Sequence, residues 1–216
     1  LKADHRSQLR FSGHGSALAQ VYNHIIMPLA STRDRVTQIR WGIADFRSRF
    51  GRDPEGMWLA ETAVDSETLE LLADNGIKFT ILAPHQCARV RPLRSKSRST
   101  DSGKGTVPEK QWISTPAASV DTTQPYLVRF PGGKSIAVFF YDGPRSRAIA
   151  FEGILNSGEA FANRLIGGFS DASDRAQLVH VATDGESYGH HHKHGEMALS
   201  YALHWIEENE LANLTN

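Results

Sequence analysis

The chain has 216 residues, 24 Lys and Arg against 24 Asp and Glu, ten His and a single Cys. The balanced charge argues against a partner gripped through its phosphate backbone, and one cysteine excludes a disulfide framework or a cysteine-based zinc site. No stretch approaches the roughly 20 apolar residues that a membrane helix needs, and 40% hydrophobic with 22% charged residues is an ordinary globular composition.

In chain order, Leu18, Ala19, Val21, Tyr22, Ile25, Ile26 and Leu29 recur at helical spacing and predict a helix over 16–30, with Pro28 kinking or ending it. A second helix is predicted over 34–50, with Ile39, Ile43, Phe46 and Phe50 on one face and Gly51 as its stop. The run Gly56-Met57-Trp58-Leu59-Ala60 is too short for a helix and reads as a buried strand. Asp65 or Ser66 caps a helix that Gly76 closes, and Lys78–Ala83 is a further strand. Strand, helix and strand in so short a span make a βαβ unit and imply a parallel sheet.

Between Arg89 and Lys110 there are seven basic and two acidic residues among Ser, Thr and Gly, without interleaved aromatics. A solvated, flexible loop, extending over 89–125, is favoured there over a nucleic-acid arm. Tyr126–Phe130 and Ser135–Tyr141 flank Pro131-Gly132-Gly133 and predict a hairpin. A helix over 158–166 leads to the Val-rich strand Gln177–Thr183, and the stretch 195–211 is helical.

Two carboxylates directly follow strands: Glu61 after GMWLA and Asp184 after QLVHVAT. In parallel α/β folds the side chains at the C-terminal strand ends meet in one cleft. Desolvation beside an apolar strand end raises a carboxyl pKa, and two acids in unlike environments can divide into nucleophile and general acid. That pair is the minimum equipment for glycosidic cleavage. The competing reading makes each acid a helix cap, and spacing alone stops at an α/β enzyme of hydrolase type.

His190, His191, His192 and His194, with Glu186 and Glu196 nearby, raise a metal hypothesis. Adjacent histidines point in different directions, however, and neither HExxH nor HxxEH is present. Cleft-lining histidines that hydrogen-bond ligand hydroxyls are favoured over a metal site and over solvated filler.

Four segments then resemble, in order, glycoside hydrolase family 57, the α-amylase/α-mannosidase-like enzymes of α-glucans. Tyr22-Asn23-His24-Ile25-Ile26-Met27-Pro28-Leu29 is similar to the family's YHPILPL region, and Gly56–Glu61 resembles the stretch ending in its WLPE nucleophile motif. Tyr141-Asp142 through Ser146 and Phe151 resembles a later RD…LS…IGF segment, and Asp184-Gly185-Glu186-Ser187-Tyr188-Gly189 the DGExxG acid/base motif.

The resemblance implies an α/β fold, a distorted seven-stranded (β/α) barrel incomplete at its N-terminus, and a retaining mechanism with Glu61 as nucleophile and Asp184 as acid/base. It implies an oligosaccharide or polysaccharide substrate met by His14, His24, Trp58, Asp142, Glu186, Tyr188 and His190. No metal or other cofactor, no nucleic acid and no membrane partner is expected, and the location expected is cytoplasmic. The family's first-strand His-x-Pro motif has no match, and Thr62-Ala63-Val64-Asp65 stands where the family often has Cys-Gly or Gly-Gly. The chain is therefore expected to hold part of the catalytic domain. Two alternatives stay open: a metal-dependent carbohydrate deacetylase on a related barrel, and a carbohydrate-binding relative without catalysis.

Overall fold

The computed structural model describes residues 1–93 and 111–216. Its longest helix, α2 (Thr32–Phe50), has the ends its sequence asks for. Ser31 Oγ accepts from Asp34 N at 3.3 Å, and Gly51 closes the helix in the left-handed region at φ 67°. Ile39, Ile43 and Phe46 point into the core, each burial stabilising by roughly 1.5–3 kcal/mol. Gly42 shares that face, and a Cβ there would run into the backbone oxygen of Gln20. Glycine therefore sets how closely α2 can approach the strand β1 (Ala19–Gln20).

That strand corrects the helix predicted over 16–30. Ala19 and Val21 are buried while Leu18 and Gln20 are exposed, which is the two-residue alternation of a strand. Pro28 lies within a short 3-10 turn, Met27–Leu29. Of the apolar residues that mimic helical spacing, Ala19 lies in β1 and Leu29 in the turn, and the others lie in irregular chain beside and between them.

β1 pairs in parallel with β2 (Met57–Trp58), and Gly56 forms a single parallel bridge to Phe79 of β3 (Phe79–Leu82). Between β2 and β3 runs α3 (Ser66–Asp74), capped by Asp65 as predicted, so the βαβ unit is present. β3 pairs in parallel with β7 (Ser135–Phe140), which pairs antiparallel with β6 (Tyr126–Arg129) across the predicted Pro131–Gly133 turn. β4 (Arg89–Val90) and β5 (Ile113–Ser114) form a separate antiparallel ladder. These four residues are paired rather than looped, whereas 94–110 of the expected 89–125 loop lie outside the described residues.

Among the described residues the strands form sheets of two, three and two members, and no closed barrel; the architecture is mixed α/β. The predicted strand over 177–183 is extended chain without a ladder. Its hydrogen bonds go instead to chain that flanks β6 and β7. Leu178 N donates to the Thr123 carbonyl at 2.9 Å, Asp142 N to the His180 carbonyl at 3.0 Å, and Ala182 N to Ser146 Oγ at 3.1 Å.

A second apolar cluster joins Ile149 of α4 (Gly143–Phe151), Phe161 and Ala162 of α5 (Gly158–Ile166), and Ala198, Ala202 and Ile206 of α6 (Gly195–Glu208). At the other end, the N-terminal helix α1 (Lys2–Arg10), not foreseen from the sequence, is tied down by a buried ion pair. Both Asp4 oxygens meet the Arg52 guanidinium, at 2.7 and 3.0 Å. No helix among the described residues is long and apolar enough to cross a membrane.

Candidate active site

Glu61 lies in the 3-10 turn Ala60–Thr62 that follows β2. Its backbone is left-handed (φ 55°, ψ 21°), and so is that of Thr62 (φ 53°). Two consecutive non-glycine residues in this region, one of them β-branched, cost on the order of 1–3 kcal/mol each. Buried Leu59 and Ala60 anchor the turn from below, and its excursion carries the Glu61 side chain outward to 77% exposure. The desolvated carboxyl expected at a strand end is thus a solvated one.

His24 faces Glu61, with Nε2 3.8 Å from Oε1, and has a left-handed backbone of its own (φ 53°). Its loop is fixed to α2 from beneath. Asn23 N donates to Gln38 Oε1 at 2.7 Å, and Tyr22 N to the Gln38 carbonyl at 3.3 Å. Trp58 is half-buried on β2, three residues before Glu61.

Asp184 is exposed and begins the 3-10 turn Gly185–Ser187, where its side chain makes no cap hydrogen bond. The helix-cap reading therefore does not account for it. Thr183 Oγ1 and Tyr188 Oη meet at 3.1 Å across the turn, and His191 Nε2 lies 3.1 Å from exposed Glu186. His190 is exposed, its ring edge-on to His191, while His192 Nε2 reaches the Ala150 carbonyl at 3.0 Å. No three His, Cys, Asp or Glu side chains among the described residues gather where they could hold a metal ion.

Two site candidates are drawn elsewhere. His14 Nδ1 lies 2.7 Å from Glu55 Oε2, just before β2, at the opposite end of that strand from Glu61. A hydrogen bond from Lys78, then one from His14, holds the Glu55 carboxyl below its usual range. Asp142 is the N-cap of α4, and both of its oxygens are engaged by Arg145, through N at 2.9 Å and Nη1 at 2.5 Å. Its side chain is only 13% exposed, so it works as a cap and ion-pair partner.

The sequence reading missed Gln86 and Arg35. Gln86 Oε1 accepts from Ala83 N and its Nε2 donates to the Thr62 carbonyl, both at 2.8 Å. Arg35, with a side chain 7% exposed, donates through Nη1 to both Asp65 oxygens at 2.9 and 2.8 Å. It also reaches the Pro28 carbonyl at 2.9 Å and the Ala30 carbonyl at 3.0 Å. Burial works against it, but hydrogen bonds from Thr68 and Arg35 hold the Asp65 carboxyl below its usual range. The contacts that tie them to the site, Gln86 to Thr62 and Arg35 to Asp65, span 24 and 30 positions.

β2, β3 and β7 thus run in one sense, as in a parallel α/β sheet; Glu61 follows β2, and Asp184 follows the 177–183 segment, whose His180 carbonyl accepts from Asp142 N just beyond β7. Residues 4–216 match Glycosyl hydrolase family 57, and the chain belongs to that family. Its fold is similar to that of the GH57-type branching enzyme of Pyrococcus horikoshii, with TM-score 0.66 and 17% identity over 97% of this chain and 46% of that one. It is also similar to the 4-alpha-glucanotransferase of Thermococcus litoralis, with TM-score 0.60 and 20% identity over 96% of this chain and 28% of that one. Alpha-amylase 1 of Dictyoglomus thermophilum is 29% identical over 77 residues, 36% of this chain and 10% of that enzyme. The chain spans less than half the length of each of these relatives.

Proposed function

We propose that this chain carries the catalytic edge of a retaining glycoside hydrolase or transglycosylase acting on α-linked glucans. The observation that carries the reading is the Glu61 turn: a solvated carboxylate on a left-handed backbone at a strand end, faced by His24 at 3.8 Å. In this reading Glu61 attacks the anomeric carbon while Asp184 gives its proton to the departing oxygen. Asp184 then takes a proton from water, or from the hydroxyl of a second sugar, as that oxygen displaces Glu61.

His24, Trp58, Tyr188, Glu186 and His190 offer stacking faces and hydrogen-bond partners for sugar hydroxyls. His14 and Asp142 act as supports. The parallel succession β1, β2, β3 and β7 is read as an arc of the family's distorted barrel. Family membership and the glucan-acting names of the similar enzymes support the substrate class. The alternative of metal-dependent deacetylation is not favoured by any convergent donor set among the described residues.

The test is turnover of maltooligosaccharides and aryl α-glucosides by the protein and by Glu61→Gln. The variant is expected to lose at least about a thousandfold in kcat while still binding sugar. Near-normal turnover would remove Glu61 as nucleophile.

A further inference from the structure

The left-handed pair Glu61–Thr62 does not hold itself in place. Within the turn there are two short-range hydrogen bonds, Thr62 N to the Leu59 carbonyl at 3.0 Å and Ala63 N to the Ala60 carbonyl at 2.9 Å. Neither engages the carbonyl of Thr62. Strained backbone of this kind persists only where surrounding structure over-determines it. Among the described residues, the side chain that bonds the Thr62 carbonyl is Gln86, from the 3-10 turn Pro84–Gln86 at the end of β3.

An amide suits this task because it donates at one end and accepts at the other. Gln86 Nε2 donates to the Thr62 carbonyl while Oε1 accepts from Ala83 N, each at 2.8 Å. The side chain therefore ties the exit of β2 to the exit of β3. Ala83 and Thr62 are both buried, so the two ends of the tie are anchored in the core. Between them the Glu61 carboxylate is the exposed group, with its direction set by the backbone that Gln86 clamps.

We propose that Gln86 is a positioning residue for Glu61, acting through the Thr62 carbonyl to aim the carboxylate at its target carbon. This rests on Glu61 as the nucleophile, as proposed above. Losing the tie lets Glu61–Thr62 relax toward ordinary backbone angles, and the carboxylate then spends less time in its attacking orientation. The cost falls on kcat, with KM little changed.

The test uses conduritol B epoxide, a cyclitol that a well-aimed carboxylate opens. A Glu61 oxygen bonds to an epoxide carbon, that carbon–oxygen bond breaks, and the released oxygen takes a proton from the acid/base residue. Mass spectrometry reads the rate and site of labelling, alongside maltooligosaccharide kinetics. Gln86→Leu is expected to slow both labelling at Glu61 and kcat by about tenfold or more.

Gln86→Glu keeps the acceptor for Ala83 and, only when protonated, regains a donor for Thr62. Its labelling rate relative to wild type should therefore rise as pH falls, a signature that a purely structural role would not produce. If Gln86→Leu fails to fold, a flat ratio in Gln86→Glu overturns the proposal. Wild-type protein labelled at Glu61, with both variants labelled equally fast, overturns the positioning role alone. Wild-type protein that is neither labelled at Glu61 nor active on maltooligosaccharides overturns the functional reading, and the positioning role with it.

Discussion

His24 Nε2 stands 3.8 Å from Glu61 Oε1, and the backbone of both residues is left-handed, at φ 53° and φ 55°. The two come from different parts of the chain, one following β1 and the other following β2. Each is held in a conformation that its residue type disfavours, and the two strained points meet. On the function proposed above, that strain serves to present the carboxylate rather than to pack the core.

Replacing His24 separates its two properties. Asparagine tolerates the left-handed region far better than a branched residue, so His24→Asn is expected to fold with a melting temperature close to wild type. It removes the imidazole from beside Glu61, and kcat/KM on maltooligosaccharides should fall by roughly ten- to a hundredfold. His24→Val should lose melting temperature as well, because a β-branched side chain pays for positive φ. Unaltered kinetics in a folded His24→Asn would show that the imidazole touches neither sugar nor nucleophile.

Two buried groups give the protein an acid limit. Hydrogen bonding from Arg52, with lesser help from Ala17 N and Gln8, lowers the Asp4 carboxyl to about 2 from an ordinary 3.8. A depressed carboxyl contributes stability that is complete above 3.8 and is lost as pH falls from there toward 2. Burial pushes the His180 imidazole down from 6.5, and its buried Nε2 has no hydrogen-bond partner among the described residues. The unfolded chain then takes up that proton first, so stability also declines as pH falls below 6.5. Denaturant midpoints should fall in two stages, one below 6.5 and one below 3.8. Asp4→Asn should shrink the lower stage, which Glu55 and Asp65 share, and cost roughly 1–2 kcal/mol at neutral pH once solvent screening is allowed for. His180→Phe should remove the upper stage. A single stage unchanged in both variants would contradict the assignment.

Legibility in the sequence followed the range of the interactions. The helices α2 and α3 could be read because cap, apolar period and stop lie within one short stretch, and the β6–β7 hairpin because Pro131-Gly132-Gly133 marks its turn. Glu61 and Asp184 could be picked out because each follows an apolar run. What the sequence does not reveal is which partner a polar side chain takes, near or far. His14 belongs to Glu55, 41 residues on, and nothing local to Ser12-Gly13-His14-Gly15 indicates it. Asp142 looked available because its partner, Arg145, could equally have faced solvent. The segment 177–183 has the composition of a strand, but its amides go to Thr123 and Ser146 instead of a ladder.

Arg35 is the device that joins the two halves of the candidate site, and its replacement makes the last test. Its guanidinium grips the Pro28 and Ala30 carbonyls, in the loop that continues from His24. Through Nη1 it grips Asp65, which caps α3 directly after the Glu61 turn. Arg35 is buried but the Asp65 side chain is more than a third exposed, so solvent screens the pair and its loss costs about 1–2 kcal/mol. Arg35→Met should lose roughly that much in denaturant unfolding, because the Pro28 and Ala30 carbonyls lose this donor and Asp65 keeps only its bonds from Thr68. Arg35→Lys keeps the charge, yet a single ammonium cannot reproduce the planar fork that meets carboxylate and carbonyls together. It should therefore lose part of the stability and, in protein still folded at the assay temperature, lower kcat as the His24 and Glu61 loops drift apart. A coupling energy near zero between Arg35→Met and Asp65→Asn in a double-mutant cycle would mean that Asp65 serves α3 as a cap alone. A coupling of about 1 kcal/mol or more would instead show that the two loops are held as one unit through this pair.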